Sequence, residues 1–363
     1  MQTIIRTDAS TQIGTGHVMR CLTLAGALRE RGAECRFICR EHPGNLMELI
    51  RQQGFEVVSL PVQNDVILKS ISLDTQSLPH AAWLGTDWYT DAEETKAGIC
   101  DMNADWLIVD HYALDARWES NLRSYCNKIM VIDDLADKFH NCDILVDQNY
   151  SNSLHALYRN LVPTHCDVLA GSAFALVRPE FRDMRDAALS KRTGKIHRVL
   201  VAMGGSDSTN ETCKVLHGFN NSNLTGLWVD IVIGSTNPHR SNVETLCGHL
   251  PNATLHIQTS RMAELMTAAD CAICSGGSIT WERCVLGLPA IVTILSKNQE
   301  AIAEAVARVG GHLLLGWYDR LTSADYVRAL SSLTPDTMRR MSDIATNICD
   351  GLGADRVAAR LQS

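Results

Sequence analysis

The 363-residue chain has no excess of basic charge: 33 Lys and Arg stand against 41 Asp and Glu, a formal net charge of −8. That balance argues against a general nucleic-acid binder, whose footprint is basic, and against adhesion to an anionic membrane surface. No apolar run approaches the roughly 18–20 residues that span a bilayer, so membrane insertion is not expected. The chain opens on a strand, with neither a charged leader nor an apolar signal core, which leads to the expectation of a cytoplasmic protein. Low-complexity tracts, short-period repeats, an Asp-x-Asp metal motif and a convincing catalytic carboxylate pair are all missing. No metal and no organic cofactor are therefore expected, and nothing points to a protein partner.

Cysteine is plentiful, at thirteen residues, but its irregular spacing inside apolar segments describes reduced, buried small hydrophobes rather than a disulfide framework. Cys271-Ala-Ile-Cys274 has a metal-like spacing. No second pair stands nearby, and in a strand residues three apart face opposite sides.

What the chain does hold is 45% hydrophobic and 20% charged residues, enough for two domains with substantial cores. Apolar β-type runs alternate with helical patterns at 35–39, 55–60, 106–110, 129–133 and 143–147. A second set follows at 197–203, 228–233, 253–257, 270–274, 289–294 and 312–315. Alternation of this kind predicts α/β architecture, two doubly wound parallel sheets of Rossmann type covered by helices on both faces. Such halves facing each other would form a cleft at the strand C-termini, where open α/β sheets bind ligands. The expected layout is a first domain over 1–180, a linker over 181–196 and a second domain over 197–345. A C-terminal helix within 346–363 would pack back on the first domain. The linker assignment rests on the basic residues Arg182, Arg185, Lys191, Arg192 and Lys195.

Each half opens on a strand running into a glycine turn. In the first half Ile4 and Ile5 lead to Gly14-Thr15-Gly16-His17; Val18, Leu22, Ala25 and Leu28 then recur at helical spacing, and Gly32 marks the stop. Gly14 and Gly16 let backbone approach a ligand closely, and the helix start offers N–H groups to an anion. The same positive potential favours a neutral His17, able to accept a proton. In the second half Met203-Gly204-Gly205-Ser206-Asp207 follows a strand. Further on, Cys274-Ser275-Gly276-Gly277-Ser278-Ile279-Thr280-Trp281-Glu282 follows another. Glu282 falls one helical turn after Ser278, on the same face, where a carboxylate suits the two hydroxyls of a ribose. Asp133-Asp134 reads as local hydrogen bonding, since adjacent strand residues face opposite ways.

The string Arg6, Asp8, Ser10, Ile13, Gly14, Gly16, His17, Arg20 resembles the opening of the UDP-2,4-diacetamido-2,4,6-trideoxy-β-L-altropyranose hydrolases of pseudaminic acid biosynthesis. These enzymes have the two-domain GT-B architecture. The 274–282 segment is similar to the nucleotide-binding turn of the peptidoglycan glycosyltransferase family, where a matching glutamate holds the ribose. The resemblance implies a UDP-sugar substrate, with uridine and diphosphate on the second domain. It makes His17 the general base, Tyr112 in Asp110-His111-Tyr112 an active-site tyrosine, and Asn298 a contact to the sugar or the attacking water. Arg178 falls in the matched motif Ala175–Phe181 and counts as a binding residue. Met203, Gly204, Gly205, Ser206 and Asp207 would contribute backbone donors, beside Ser275, Gly277, Ser278 and Ile279.

The chemistry accounts for so short a catalytic inventory. Glycosidases need two carboxyls because the departing sugar alkoxide must be protonated. UDP already leaves as a stable anion, so one base and a set of phosphate donors suffice. Two other readings share these motifs. A GT-B transferase would pass the sugar to an acceptor alcohol, and a non-catalytic nucleotide-sugar module would have no use for a base at His17.

Overall fold

The computed structural model describes residues 1–63, 78–99, 103–150, 154–222 and 226–363. They form two compact units, Met1–Leu176 with Leu352–Ser363, and Val177–Gly351. The first unit holds β1 (Gln2–Thr7), β2 (Glu34–Arg40), β3 (Glu56–Leu60), β4 (Ala104–Asp110), β5 (Cys126–Ile132), β6 (Ile144–Asp147) and β7 (Asp167–Ala170). Its sheet runs β3-β2-β1-β4-β5-β6-β7, and every pairing is parallel. The second unit holds β8 (Arg198–Ala202), β9 (Trp228–Ile233), β10 (Ala253–Ile257), β11 (Cys271–Ser275), β12 (Ala290–Ile294) and β13 (Leu313–Trp317). These are ordered β10-β9-β8-β11-β12-β13, again all parallel. Both halves are doubly wound, as the alternating runs require.

Parallel strands buried on both faces need apolar residues at successive positions. Ile4 packs with Leu107 and Val109 on one face of the first sheet, while Ile5 packs with Ile108 and Met130 on the other. The second face is covered by the Gly16–Glu30 helix, through Val18, Cys21, Leu24, Ala25 and Leu28. That helix ends at Arg31, ahead of Gly32 at φ +81°. Beside it lies the Gly353–Leu361 helix, whose Val357, Ala358 and Leu361 belong to the same core. The Trp106 indole donates to Leu361 O at 2.9 Å. Gly353 makes the close approach possible, because a Cβ there would sit 2.2 Å from Ala175 O.

The basic stretch 181–196 lies wholly inside the second unit and carries parts of the helices Pro179–Asp183 and Arg185–Leu189. Its arginines satisfy helix C-terminal carbonyls, which have no partner inside their own helices. Arg185 donates to Thr346 O at 2.9 Å and Cys349 O at 3.2 Å, and also to Val285 O. Arg192 donates to Met266 O at 3.1 Å, Leu286 O at 3.2 Å and Ala269 O. The charges are therefore turned toward backbone, and each arginine ties two helix ends together. Cys271 and Cys274 are buried free thiols on β11.

Candidate functional site

In both sheets the strand order reverses beside a glycine turn. β1 and β4 are neighbours at that point, with Thr7 paired to Asp110, so their C-terminal ends open on the crevice where doubly wound folds place ligands. The chain leaving β1 bends around Ser10, whose Oγ accepts the N–H groups of Gln12 at 3.1 Å and Ile13 at 2.8 Å. Gly14, at φ +83°, donates to Ser10 O at 2.8 Å. Gly16 then opens the helix and His17 sits in its first turn. A Cβ on Gly14 or Gly16 would meet no atom within 4 Å, so the space above both is open.

His17 Nδ1 lies 2.6 Å from Asp110 Oδ1. Arg20, one turn further along the helix, grips the same carboxylate through Nε to Oδ2 and Nη2 to Oδ1, both at 2.7 Å. Its Nη1 donates to Asp134 Oδ2 at 2.8 Å. Tyr112 donates its hydroxyl to Asp134 Oδ1 at 2.6 Å and presents its ring edge-on to His17, with centroids 4.5 Å apart. Burial alone would raise the Asp110 carboxyl; the Arg20 guanidinium and His17 outweigh it and hold the group far below the ordinary carboxylate range. An ionised carboxylate only accepts, so in a neutral ring the Nδ1 atom carries the proton and Nε2 is left as an acceptor. Burial and Asp134 raise the Tyr112 hydroxyl, which stays protonated and donates.

Beneath the turn lies a second ionic cluster, fully buried. Arg6 pairs with Asp8 at 2.7 Å and with Asp91 at 2.7 Å, and Arg40 N donates to Asp8 Oδ1 at 2.6 Å. Burial works against the charge on Asp8, but Arg6 overcomes it and keeps that carboxyl well below its usual range. His111 Nδ1 accepts from Ala113 N at 3.1 Å, so Nε2 carries its proton and faces Asp8 Oδ2 at 3.4 Å. Arg6 and Asp8 thus brace the ends of β1 and β2 under the glycine turn.

Asp133 and Asp134 part company. Asp133 bonds locally in part, accepting from Ala136 N and Lys138 Nζ at 3.0 Å each, and also accepts from Tyr158 OH at 3.1 Å, 25 positions away. Asp134 departs from the local hydrogen bonding expected of the pair, because its carboxylate is turned to Arg20 and Tyr112.

In the second unit the turns after β8 and β11 flank the reversal of strand order. The Met203 side chain is buried in the core, leaving only its backbone for a ligand. Gly204 adopts φ +98° and has open space where a Cβ would be. Gly205 O accepts from Gly234 N at 2.9 Å, and a Cβ on Gly234 would lie 2.7 Å from that oxygen. Ser206 is exposed beside them. The Asp207 side chain is consumed in capping the Glu211–Asn220 helix, accepting from Glu211 N at 2.9 Å and Thr212 N at 2.8 Å. Only its backbone remains for a ligand.

Ser275 closes β11, and Gly277 and Ser278 lead into the Ile279–Val285 helix. Glu282 sits one turn in, with Arg178 Nη2 donating to its Oε1 at 3.0 Å. Burial raises the Glu282 carboxyl and Arg178 draws it back. Arg178 also pairs with Glu180 at 3.0 Å, and it belongs to the second unit, where the sequence analysis ran the first domain to 180. Asn298 is exposed in the first turn of the Lys297–Arg308 helix, accepting from Ser296 Oγ.

Asp110, Asp134, Gly234 and Gln299 stand beside the predicted site residues without having been singled out by the sequence. Asp110 and Asp134 each follow an apolar run, which was the available signal. Gln299 accepts from Leu295 N at 3.1 Å, and its Nε2 is 3.7 Å from where a Gly277 Cβ would be.

No family model matches the chain. It is similar to the UDP-2,4-diacetamido-2,4,6-trideoxy-beta-L-altropyranose hydrolase of Campylobacter jejuni, 26% identical over 312 residues that cover 85% of this chain and 97% of that protein. The spore coat polysaccharide biosynthesis protein SpsG of Bacillus subtilis is 24% identical over 362 residues, 98% of this chain and 96% of that one. Among solved structures, MurG of Acinetobacter baumannii aligns with a TM-score of 0.65 at 13% identity over 99% of each chain. The fold is GT-B, and the motif resemblance to the altropyranose hydrolases extends along most of the sequence.

Proposed function

We propose that the chain hydrolyses UDP-2,4-diacetamido-2,4,6-trideoxy-β-L-altropyranose, releasing UDP and the free sugar, which is the precursor of pseudaminic acid. The observation that carries this reading is the His17–Asp110 pair at 2.6 Å, which leaves Nε2 of a neutral imidazole as an acceptor. A water deprotonated by His17 Nε2 attacks C1. The new C1–O bond forms as the bond from C1 to the phosphate oxygen breaks, and UDP departs with that electron pair. The free sugar is released with inverted configuration. Arg20 and Asp134 fix Asp110 and Tyr112, and the Tyr112 ring limits how His17 can turn. In the second unit, backbone and hydroxyl donors of Met203–Asp207 and Ser275–Ile279 receive the diphosphate, Glu282 takes the ribose diol, and Asn298 contacts the sugar or the water. Arg178 holds the Glu282 carboxylate in place.

The reading is tested by incubating the protein with the UDP-sugar and no acceptor. UDP is released, ¹⁸O from labelled water appears in the sugar, the first anomer formed is inverted, and EDTA has no effect. Label in UDP means cleavage at phosphorus, and retained configuration means a covalent intermediate; either outcome overturns the mechanism. Release only with an added alcohol would instead identify a transferase, and no release with or without one a non-catalytic binding module.

A further inference from the structure

Four aromatic rings run in contact outward from His17 within the first unit. Tyr112 meets His17 at 4.5 Å between centroids, Trp83 meets Tyr112 at 5.9 Å with planes inclined by 30°, and His80 meets Trp83 at 4.5 Å and Tyr112 at 5.3 Å. Trp83 lies in the short helical turn Ala81–Leu84 and His80 is its N-cap, and both residues remain half-buried. The turn is firmly seated. Leu84 is buried in the core, and Gly85 follows at φ +73°, where a Cβ would stand 2.7 Å from His42 Cε1 and 3.1 Å from Arg40 Cδ. His80 Nδ1 is buried with no hydrogen-bond partner among the described residues. Burial lowers the His80 imidazole and favours the neutral ring.

We infer that Trp83 and His80, together with Tyr112, form the wall that binds the hexose of the substrate and selects a methyl group at its 6-position. The inference rests on the UDP-sugar reading above for the identity of the ligand. A pyranose presents an apolar face of C–H bonds to an aromatic ring, and a 6-deoxy sugar extends that face by a methyl where common hexoses carry a hydroxymethyl. Seating that hydroxyl against indole without a partner costs its hydration, whereas a methyl gains contact area. The buried His80 Nδ1, without a protein partner among the described residues, suits the amide of an acetamido substituent. Trp83 and His80 are specificity residues: neither takes a proton from the reacting water.

The test compares kinetics on the 6-deoxy diacetamido UDP-sugar with UDP-N-acetylglucosamine, and inhibition by UDP alone. Trp83→Ala raises KM for the deoxy substrate about tenfold or more, a change of the size expected for a lost aromatic contact plus its buried area. The inhibition constant of UDP is unchanged, because its binding residues lie in the second unit. Trp83→Phe recovers most of the loss, and His80→Ala weakens the diacetamido substrate more than the monoacetamido one. An unchanged KM in Trp83→Ala, or an equal loss of UDP affinity, overturns the inference. If the wild-type protein releases no UDP from either nucleotide sugar, the hydrolase reading has failed on its own. Equilibrium binding then decides the wall: Trp83→Ala must weaken the nucleotide sugar relative to UDP, and equal affinities refute it.

Discussion

Replacing Asp110 with Asn separates the roles of charge and shape at the candidate base. The amide fits the same space but offers one acceptor oxygen where the carboxylate offers two. Four donors converge there: His17 Nδ1 at 2.6 Å, Arg20 Nε and Nη2 at 2.7 Å each, and the Cys21 thiol at 3.4 Å. The amide oxygen stays with Arg20 Nε, and the NH₂ takes the place of Oδ1, facing His17 Nδ1 and costing the Arg20 Nη2 bond. The imidazole must then accept at Nδ1 and carry its proton on Nε2, the wrong tautomer for a base. An equivalent change in the serine-protease triad costs about 10⁴ in kcat, and general bases contribute about 10²–10⁴. Asp110→Asn is expected to lower kcat by about 10³, equivalent to about 4 kcal/mol of barrier. The fold should survive, because Arg20 keeps Asp134 at 2.8 Å. The stability cost is about 1–3 kcal/mol, the range for an imperfectly satisfied buried group, below the ~3–5 kcal/mol of a buried charge left alone. The assay is UDP release at saturating UDP-sugar near neutral pH, with UDP affinity measured alongside by calorimetry. Turnover within about threefold of wild type would sink the dyad. A parallel collapse of UDP affinity and thermal stability would equally show that the effect was structural.

Glu282→Ala should weaken UDP by about 10- to 100-fold, the range for lost hydrogen bonds to a charged group; equal calorimetric affinity removes Glu282 from the site. Gly353→Ala puts a methyl 2.2 Å from Ala175 O and should lower the melting temperature of the first unit. The expected cost is about 1–3 kcal/mol, several degrees, and an unshifted melt refutes the close approach. Asp147 is buried, accepting from Asn149 N at 2.8 Å and Tyr158 OH at 3.2 Å. Burial, helped by Asp134 and Asp133, pushes its carboxyl up to about 7. The folded state keeps a proton that the unfolded chain loses near pH 4, so this group's stabilisation is complete below that pH and disappears as pH rises through about 7. Asp147→Asn should therefore gain melting temperature relative to wild type between pH 4.5 and pH 8; a constant difference would refute the assignment.

The sheets were readable because parallel strands buried on both faces are continuous apolar runs. β7 was the exception: Asp167–Ala170 has four residues, lies at the sheet edge and is only half-buried, so little apolar signal marks it. The glycine turns and His17 were readable as local strings. Asp110 was not, since its partner lies 93 positions away and the pairing exists only once β1 and β4 are in register. Arg185 and Arg192 looked like a charged linker because their partners are backbone carbonyls at the ends of three helices, which leave no mark in composition. Asp207 reads in the sequence as a source of backbone donors; what its carboxylate does, capping the next helix, leaves no mark there.

The first unit is written in two instalments, residues 1–176 and 352–363, with the whole second unit between them. During synthesis the first 176 residues leave the ribosome long before Val357, Ala358 and Leu361 exist to cover the apolar face beside Val18 and Leu24. At about 5–20 residues per second, that face waits roughly ten to forty seconds for the helix that packs on it. The second unit has all its pieces in one continuous stretch and is free to fold within that interval. Chains cut short between residues 176 and 352 would share one lesion, an unsealed hydrophobic groove, which marks them for chaperones and proteases whatever the state of the second unit.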